Sequence, residues 1–198
     1  MTHNTSYSDD WKDIRWKQLQ KTLFRLQKRI FKAIREGDKA KAKRIQKLVL
    51  SSYAARMLAI RQVTQLNQGR KTAGIDGKKA LTFKERFELE ETLKLKTKTW
   101  KHQGLREIPI PKKDGTKRIL KVPTIADRAW QCLVKYALEP AHEATFHPRS
   151  YGLDQGEAHT THKKPCFYIS EKALMELIKE FLNLISANAS TAYHTKLY

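Results

Sequence analysis

The sequence predicts a mainly α-helical protein with one small β-hairpin. No proline occurs before Pro109, and the first 65 residues contain a single glycine, Gly37, so little interrupts helix formation in this half. Apolar residues in the same half recur at helical spacing. The segment IPIPKKDGTKRIL, residues 108–120, instead joins alternating prolines and isoleucines to an Asp-Gly turn, which is typical of a hairpin.

The chain is strongly basic. Its 198 residues include 40 Lys and Arg against 20 Asp and Glu, a formal net charge of +20. That excess indicates a polyanionic partner, with RNA or DNA the commonest, and a basic membrane-surface protein or a ribosomal-type protein as alternatives. No run approaches the roughly 18 to 20 apolar residues of a membrane span, so no membrane partner is expected. The two cysteines, Cys132 and Cys166, predict no disulfide framework and indicate a reducing compartment.

The first long helix is predicted to begin at or just before Asp13 and to have two unlike faces. Its apolar stripe consists of Leu19, Leu23, Leu26, Ile30 and Ile34. On the opposite side lies a cationic rail, which consists of Lys21, Arg25, Lys28, Lys32 and Arg35. At about 100° per residue, the two sets point in opposite directions. A solvated lysine face is the plain alternative, but a face this free of acids repels itself unless an anion covers it.

Gly37-Asp38 is predicted to end that helix and to start a second one over about residues 39–66. The early turns of the second helix are basic, and its later turns are apolar nearly all round: Leu48, Val49, Leu50, Tyr53, Met57, Leu58, Ile60 and Val63. Arg56 and Arg61 lie in the apolar half, so each must extend to solvent or find a partner.

Residues 67–77, NQGRKTAGIDG, form what we call the basic loop. Three glycines in eleven residues predict a loop, and Arg70 and Lys71 lie at its tip. Phosphates can approach such a loop closely because its backbone amides are accessible. The GxxxxGK[ST] pattern of a P-loop is absent, so the loop by itself is a weak nucleotide-binding signal.

A charged helix is predicted over about residues 82–99, with Phe83, Phe87, Leu89 and Leu93 facing inward. The hairpin follows. Pro109 and Pro111 lack amide donors, which favours an edge strand, and residues 113–116 form the predicted turn before a return strand over 118–122.

A last long helix is predicted over about residues 125–143, interrupted near Pro140. Its inner face consists of Ala129, Cys132, Leu133, Tyr136 and Ala137. A short amphipathic helix is expected over residues 171–185.

Two long runs resemble a known family. The runs WKDIRWKQLQKTLFRLQKRIFKAIREGD and SSYAARMLAIRQVTQLNQGRKTAGIDG are similar to the N-terminal domain of bacterial and organellar group II intron reverse transcriptases, or maturases. The run LREIPIPKKDGTKRILKVPTIADRAWQCLVKYALEPAHEATFHPRSYGL resembles the first finger segment of these enzymes. The resemblance extends from Trp11 to about Leu153. It implies an RNA-binding domain over residues 1–80, a partial fingers region over 81–156 and a divergent tail over 157–198.

The resemblance also implies a partner and its contacts. The partner is group II intron RNA, in a bacterial cytoplasm or an organellar stroma or matrix. The cationic rail would contact that RNA, together with Arg61, Asn67, Arg70 and Lys71 of the second helix and basic loop. The hairpin would bring cations close to the phosphates of a nucleotide, and these cations are Lys112, Lys113, Lys117 and Arg118.

The departures from the family limit the expected activity. The return strand lacks the usual Arg-Pro-Leu-Gly-Ile-Pro sequence, and Leu153-Asp154-Gln155-Gly156-Glu157 replaces Phe-Arg-Pro-Gly-Arg. The palm carboxylates that hold two divalent metals have no counterpart. We therefore expect a truncated chain that binds intron RNA and assists splicing without polymerase activity. No cofactor is expected, and Mg²⁺ only if a partner supplies a palm.

Two alternatives remain at this stage. A palm-bearing partner would complete an RNA-directed DNA polymerase in trans. Otherwise the chain is a nonfunctional remnant, in which Leu133 and Tyr136 lie exposed and drive self-association.

Three further patterns favour plain explanations. Tyr7-Ser8-Asp9-Asp10 matches the Tyr-x-Asp-Asp motif of polymerases, but no strand pattern surrounds it, so a chance match with acids at a helix start is favoured. His159, His162 and Cys166 lack a fourth ligand for a structural zinc, which favours a polar tail. The four tryptophans are expected to pack in the core rather than to stack on bases.

Overall fold

A computed structural model describes residues 7–113 and 115–145 of the chain. These residues belong to two compact units. The first unit contains residues 7–24 and 50–133, and the second contains residues 25–49 and 134–145. The boundary expected at residue 80 from the sequence falls within the first unit. The predicted helix over 171–185, the tail over 157–198 and the His159, His162 and Cys166 group lie outside the described residues.

The architecture confirms the predicted class, mainly α with one hairpin. The helices are α1 (Tyr7–Lys12), α2 (Trp16–Arg35), α3 (Lys39–Ser51), α4 (Tyr53–Arg61), α5 (Phe83–Lys96) and α6 (Ile125–Glu143). A π-helical turn (Gln62–Leu66) and a 3₁₀ turn (Gln68–Lys71) follow α4, and a second 3₁₀ turn (Thr97–Thr99) follows α5. The hairpin consists of β1 (Arg106–Pro111) and β2 (Lys117–Val122).

The first long helix begins at Trp16 and not at Asp13. The residues before it form the separate short helix α1, with Asp9 and Asp10 in its first turn. Trp11 of α1 is buried, and its ring centroid lies 5.1 Å from that of Trp16 and 5.6 Å from that of Phe87. The Tyr-x-Asp-Asp letters are therefore helical, as the chance-match interpretation expects.

The end of α2 confirms the boundary predicted at Gly37-Asp38. Gly37 has a φ of 78°, and the amides of Gly37 and Asp38 donate to the carbonyls of Ile34 and Ala33 at 3.0 and 2.9 Å. Glycine adopts this left-handed conformation without a Cβ clash. Asp38 Oδ1 then accepts from the Lys41 amide at 2.8 Å, which satisfies a free donor at the start of α3.

The predicted single helix over residues 39–66 is wrong in two respects. It breaks at Ser52, where φ is −76° and ψ is 124°, and its last five residues are π-helical. The Arg56 guanidinium stabilises the break because it donates to the carbonyl of Ser51 at 2.6 Å. The later turns are apolar but not all buried, since Leu48 is 49% and Tyr53 is 46% exposed.

Helix α5 begins at a capping box. The Glu85 amide donates to Thr82 Oγ1 at 3.3 Å, and the Thr82 amide donates to Glu85 Oε2 at 2.8 Å. The predicted inward set is confirmed, with Leu89 and Leu93 buried and Phe83 and Phe87 half-buried.

The hairpin is antiparallel, with Arg106 opposite Val122 and Pro111 opposite Lys117. Its turn lies one residue earlier than predicted. The Lys112 amide donates to the Thr116 carbonyl at 2.7 Å, and Gly115 has a φ of 78° and donates to the Lys112 carbonyl at 3.2 Å. Three residues therefore lie between Lys112 and Thr116, with glycine in the left-handed position that such loops require.

Helix α6 is continuous through Pro140, contrary to the predicted interruption. A proline at this position has no amide to donate to the carbonyl of Tyr136, four residues earlier. The side chain of Gln27 replaces that donor, with Nε2 lying 3.2 Å from the Tyr136 oxygen. Both residues belong to the second unit.

We expect Gln27→Ala to lower the free energy of unfolding by about 1 kcal/mol, because the Tyr136 carbonyl loses its donor. In a Pro140→Ala background the restored amide can donate to that carbonyl, so the same replacement should cost less. Urea denaturation of the four proteins of this double-mutant cycle measures both effects. Equal costs of Gln27→Ala in the two backgrounds would show that the two donors are not alternatives.

Several buried side chains correct or confirm the sequence predictions about packing. Leu133 is 0% exposed, so the expectation that it lies open for self-association is wrong, and Tyr136 is half-buried. Trp11 and Trp130 are buried and Trp16 and Trp100 are half-buried, which confirms core packing of the tryptophans. Among the described residues, no helix is long and apolar enough to cross a membrane.

Candidate nucleic-acid interface

The cationic rail lies along the solvent side of α2. All five of its side chains are exposed: Lys21, Arg25, Lys28, Lys32 and Arg35. The apolar stripe is confirmed, with Leu23 and Ile30 buried and the other three members half-buried. Lys32 Nζ lies 3.6 Å from Glu36 Oε1, a pair whose side chains are 76% and 47% exposed. Such an exposed pair is weak, so it leaves the rail strongly positive.

The basic loop is held against the start of α6. Arg128 donates from one terminal nitrogen to the carbonyl of Gly69 and from the other to that of Thr72, both at 2.9 Å. A Cβ on Gly74 would lie 2.7 Å from the Thr124 Cα and 2.9 Å from the Pro123 carbonyl oxygen, so only glycine fits there. Residues 69–74 of the loop are thereby fixed in place.

The tip of the basic loop projects its cations outward. Asn67, Arg70 and Lys71 are all exposed, and the last two lie in the 3₁₀ turn. The Arg70 guanidinium also donates to the carbonyl of Gln65. The tip therefore presents two positive side chains beside a turn of fixed backbone.

Arg61 has a different environment from the other predicted RNA contacts. It is half-buried, and its guanidinium carbon lies 4.4 Å from the ring centroid of Trp16. This cation–π contact stabilises the packing of α4 on the start of α2. Arg61 thus has a structural role within the chain, whatever else it contacts.

Asp127, in the first turn of α6, contacts the segment that precedes β1. Its carboxylate accepts from Thr124 Oγ1 at 2.8 Å, from Trp100 Nε1 at 2.8 Å and from the Gln103 amide at 3.2 Å. His102 Nδ1 lies 3.1 Å from the same carboxylate. Sequence reasoning missed this group, although Thr124-x-x-Asp127 has the spacing of a helix N-cap.

The four predicted phosphate-contacting cations lie at the hairpin tip, and all are exposed: Lys112, Lys113, Lys117 and Arg118. The opposite end of β1 begins at Arg106, which donates to the Ala73 carbonyl of the basic loop at 3.5 Å. At about 3.3 Å per residue, the tip lies roughly 17 Å along the strand from that point. The structure thus places the hairpin base, and not its tip, beside the basic loop.

The described residues contain no group of three His, Cys, Asp or Glu side chains that could hold a metal ion.

The mainly helical fold with one hairpin is consistent with the N-terminal domain of a reverse transcriptase followed by part of its fingers. The family described as the N-terminal domain of reverse transcriptase matches residues 11–93. This region of the chain therefore belongs to that family, and the resemblance predicted from the sequence is confirmed.

Its relatives include two maturase-like proteins. "Maturase-like protein 1" of Euglena gracilis is 44% identical over 138 residues, and that of Euglena longa is 39% identical over 140 residues. "Protein YkfC" of Escherichia coli (strain K12) is 33% identical over 114 residues. The matches cover 70%, 71% and 56% of this chain respectively. The chain spans only 30% or 31% of the length of these relatives.

Proposed function

We propose that this chain binds RNA through the cationic rail and the basic loop, and that the RNA is a group II intron whose folding and splicing the protein assists. The observation that carries the proposal is the rail itself. Five cations lie along one side of α2, and all five are exposed. A ridge of this kind matches a phosphate backbone, which supplies negative charge at regular intervals.

The match to the reverse transcriptase N-terminal domain and the maturase-like relatives support this proposal over a plain solvated surface. The basic loop supports it independently, because its cations lie on a backbone that is held in a fixed shape. We place the activity where group II introns are spliced, in a bacterial cytoplasm or an organellar stroma or matrix.

The experiment compares the wild-type chain with Arg25→Ala/Arg35→Ala in binding to a structured group II intron RNA between 50 and 200 mM salt. We expect the double variant to bind about tenfold more weakly at moderate salt. The slope of log K against log salt should fall by up to about 2, since each lost phosphate contact releases one counterion fewer.

A charge-matched control is available on α5. Lys84→Ala/Lys94→Ala removes the same charge from two exposed lysines that pair with Glu88 and Glu91 of the same helix. This variant should bind RNA nearly as the wild type does. Equal losses in the two variants would mean that only net charge matters, and that the rail is no specific binding surface.

A further inference from the structure

We propose that Arg128 is the positioning residue of the basic loop, holding it in the shape in which Arg70 and Lys71 meet the phosphates of RNA. This inference rests on the proposed function and assigns to that interface a residue outside the loop. Arg128 lies 59 residues from Gly69 and 56 from Thr72 in the sequence, and it contacts both.

The geometry is that of a two-pronged clamp. The guanidinium donates to one carbonyl at each end of the 3₁₀ turn, and the turn between them contains Arg70 and Lys71. The Thr72 amide donates to Gly69 at 3.1 Å, so the two clamped residues are also bonded to each other. The clamp therefore fixes the backbone from which both cations project.

The rest of the loop is fixed by contacts that need no charge. Gly74 lies directly against the backbone of residues 123 and 124, and the Gly77 amide donates to the Gly74 carbonyl at 3.2 Å. A loop ordered in advance loses less conformational entropy when it binds, and this improves affinity without adding a contact.

Arg128 is suited to positioning rather than to direct contact with RNA. Both of its terminal nitrogens are engaged by carbonyls, and the guanidinium is half-buried. Burial lowers the pKa of Arg128, and nearby Asp76 opposes that effect. A lysine keeps the charge, but its single ammonium cannot reproduce a planar fork that reaches two carbonyls.

The variant Arg128→Lys distinguishes positioning of the loop from direct contact with RNA, because it keeps the charge but not the two-pronged contact. If Arg128 positions the loop, this variant should lower the salt slope of RNA binding as much as Arg70→Ala/Lys71→Ala does, by about 1.5. Arg128→Lys should also weaken RNA binding about tenfold. The triple variant, which combines Arg128→Lys with Arg70→Ala/Lys71→Ala, should bind RNA no more weakly than Arg70→Ala/Lys71→Ala does. The inference is wrong if Arg128→Lys binds RNA as tightly as the wild type does. It is also wrong if the loss of RNA affinity in the triple variant equals the sum of the losses in Arg128→Lys and in Arg70→Ala/Lys71→Ala.

Hydrogen exchange without RNA provides the second readout. Exchange of the Thr72 and Gly77 amides should be at least tenfold faster in Arg128→Lys, while amides in the middle of α5 keep their protection. Unchanged exchange at Thr72 would overturn the inference even if RNA binding fell. Should the wild-type chain bind no RNA at all, the proposed function fails and the inference fails with it. Failure of Arg128→Lys alone leaves the proposed function intact.

Gly74→Ala tests the clamp from the loop side if Arg128→Lys proves unstable. An added Cβ would force residues 73–75 away from the start of α6. This variant should show the same loss of salt slope and the same faster exchange at Thr72 and Gly77. If Gly74→Ala exchanges faster at Thr72 and Gly77 but binds RNA as tightly as the wild type does, RNA binding does not need a fixed loop.

Discussion

Replacing Glu90 by alanine is expected to lower the free energy of unfolding by about 3 to 5 kcal/mol. Glu90 and Arg56 form an ion pair of 2.7 Å in the first unit, and both side chains are 6% exposed. Removal of the carboxylate leaves the arginine charge buried without its counter-ion. Urea denaturation at neutral pH measures the loss.

The pair should be replaceable as a unit even though neither member can be removed alone. An apolar double variant, Arg56→Met/Glu90→Leu, buries no charge and keeps most of the volume, so we expect it to be far more stable than Glu90→Ala. Its remaining cost arises at the carbonyl of Ser51, which loses the Arg56 donor. Ser51 is exposed, so water can replace that donor.

The matched control for this prediction lies one residue further along the same helix. Glu91 pairs with Lys94 at 3.1 Å, but both side chains are more than half exposed, at 57% and 52%. Glu91→Ala should therefore cost no more than about 0.5 kcal/mol. A Glu90→Ala variant within 1 kcal/mol of the wild type would show that the buried arginine finds another partner or reaches water.

Local sequence patterns predicted those parts of the fold that local forces decide. The two faces of α2 follow from helical spacing alone, and the boundary at Gly37-Asp38 follows from the left-handed glycine and the capping aspartate. The hairpin was predicted in the correct segment because its Asp-Gly and proline signals lie within that segment.

The errors occur where a distant residue decides the outcome. Helix α6 continues through Pro140 because Gln27, 109 residues before Tyr136, supplies the missing donor. The helix break at Ser52 has no glycine or proline to indicate it and is stabilised by Arg56. The link between the basic loop and Arg128 is likewise invisible in the sequence, because carbonyl acceptors have no residue signature. The exposed cations of the rail and of the loop tip could be picked out from the sequence, whereas the contacts of Arg128 with the loop could not.

The pH dependence of stability should be dominated by Glu139 of α6 between pH 5 and 8. This carboxyl is 3% exposed, and Oε1 makes no hydrogen bond within the described part of the chain. Burial raises the pKa of Glu139 to about 8, and the nearby charge of Lys135, 3.5 Å away, only partly opposes the effect. In the unfolded chain the pKa of this group is close to the ordinary value of 4.5.

The sign of the effect follows from proton binding. Below pH 4.5 the carboxyl is protonated in both states and adds no pH dependence. Between pH 4.5 and about 8 the unfolded chain releases the proton while the folded chain keeps it. The folded state then binds more protons, so its stability falls by about 1.4 kcal/mol per pH unit over this range. Above the folded pKa both states are ionised and the loss levels off.

Glu139→Gln removes the titration while keeping the shape of the side chain. The variant should exceed the free energy of unfolding of the wild type by less than about 1 kcal/mol at pH 5 and by on the order of 4 kcal/mol at pH 8. Urea denaturation of both proteins at pH 5, 6.5 and 8 measures the difference, in which other titrating groups cancel. Lys135→Met supplies an internal check: loss of the ammonium should raise the pKa of Glu139 further and extend the falling range to higher pH. Parallel stability curves for the wild type and Glu139→Gln would mean that water or another group already compensates the buried carboxylate.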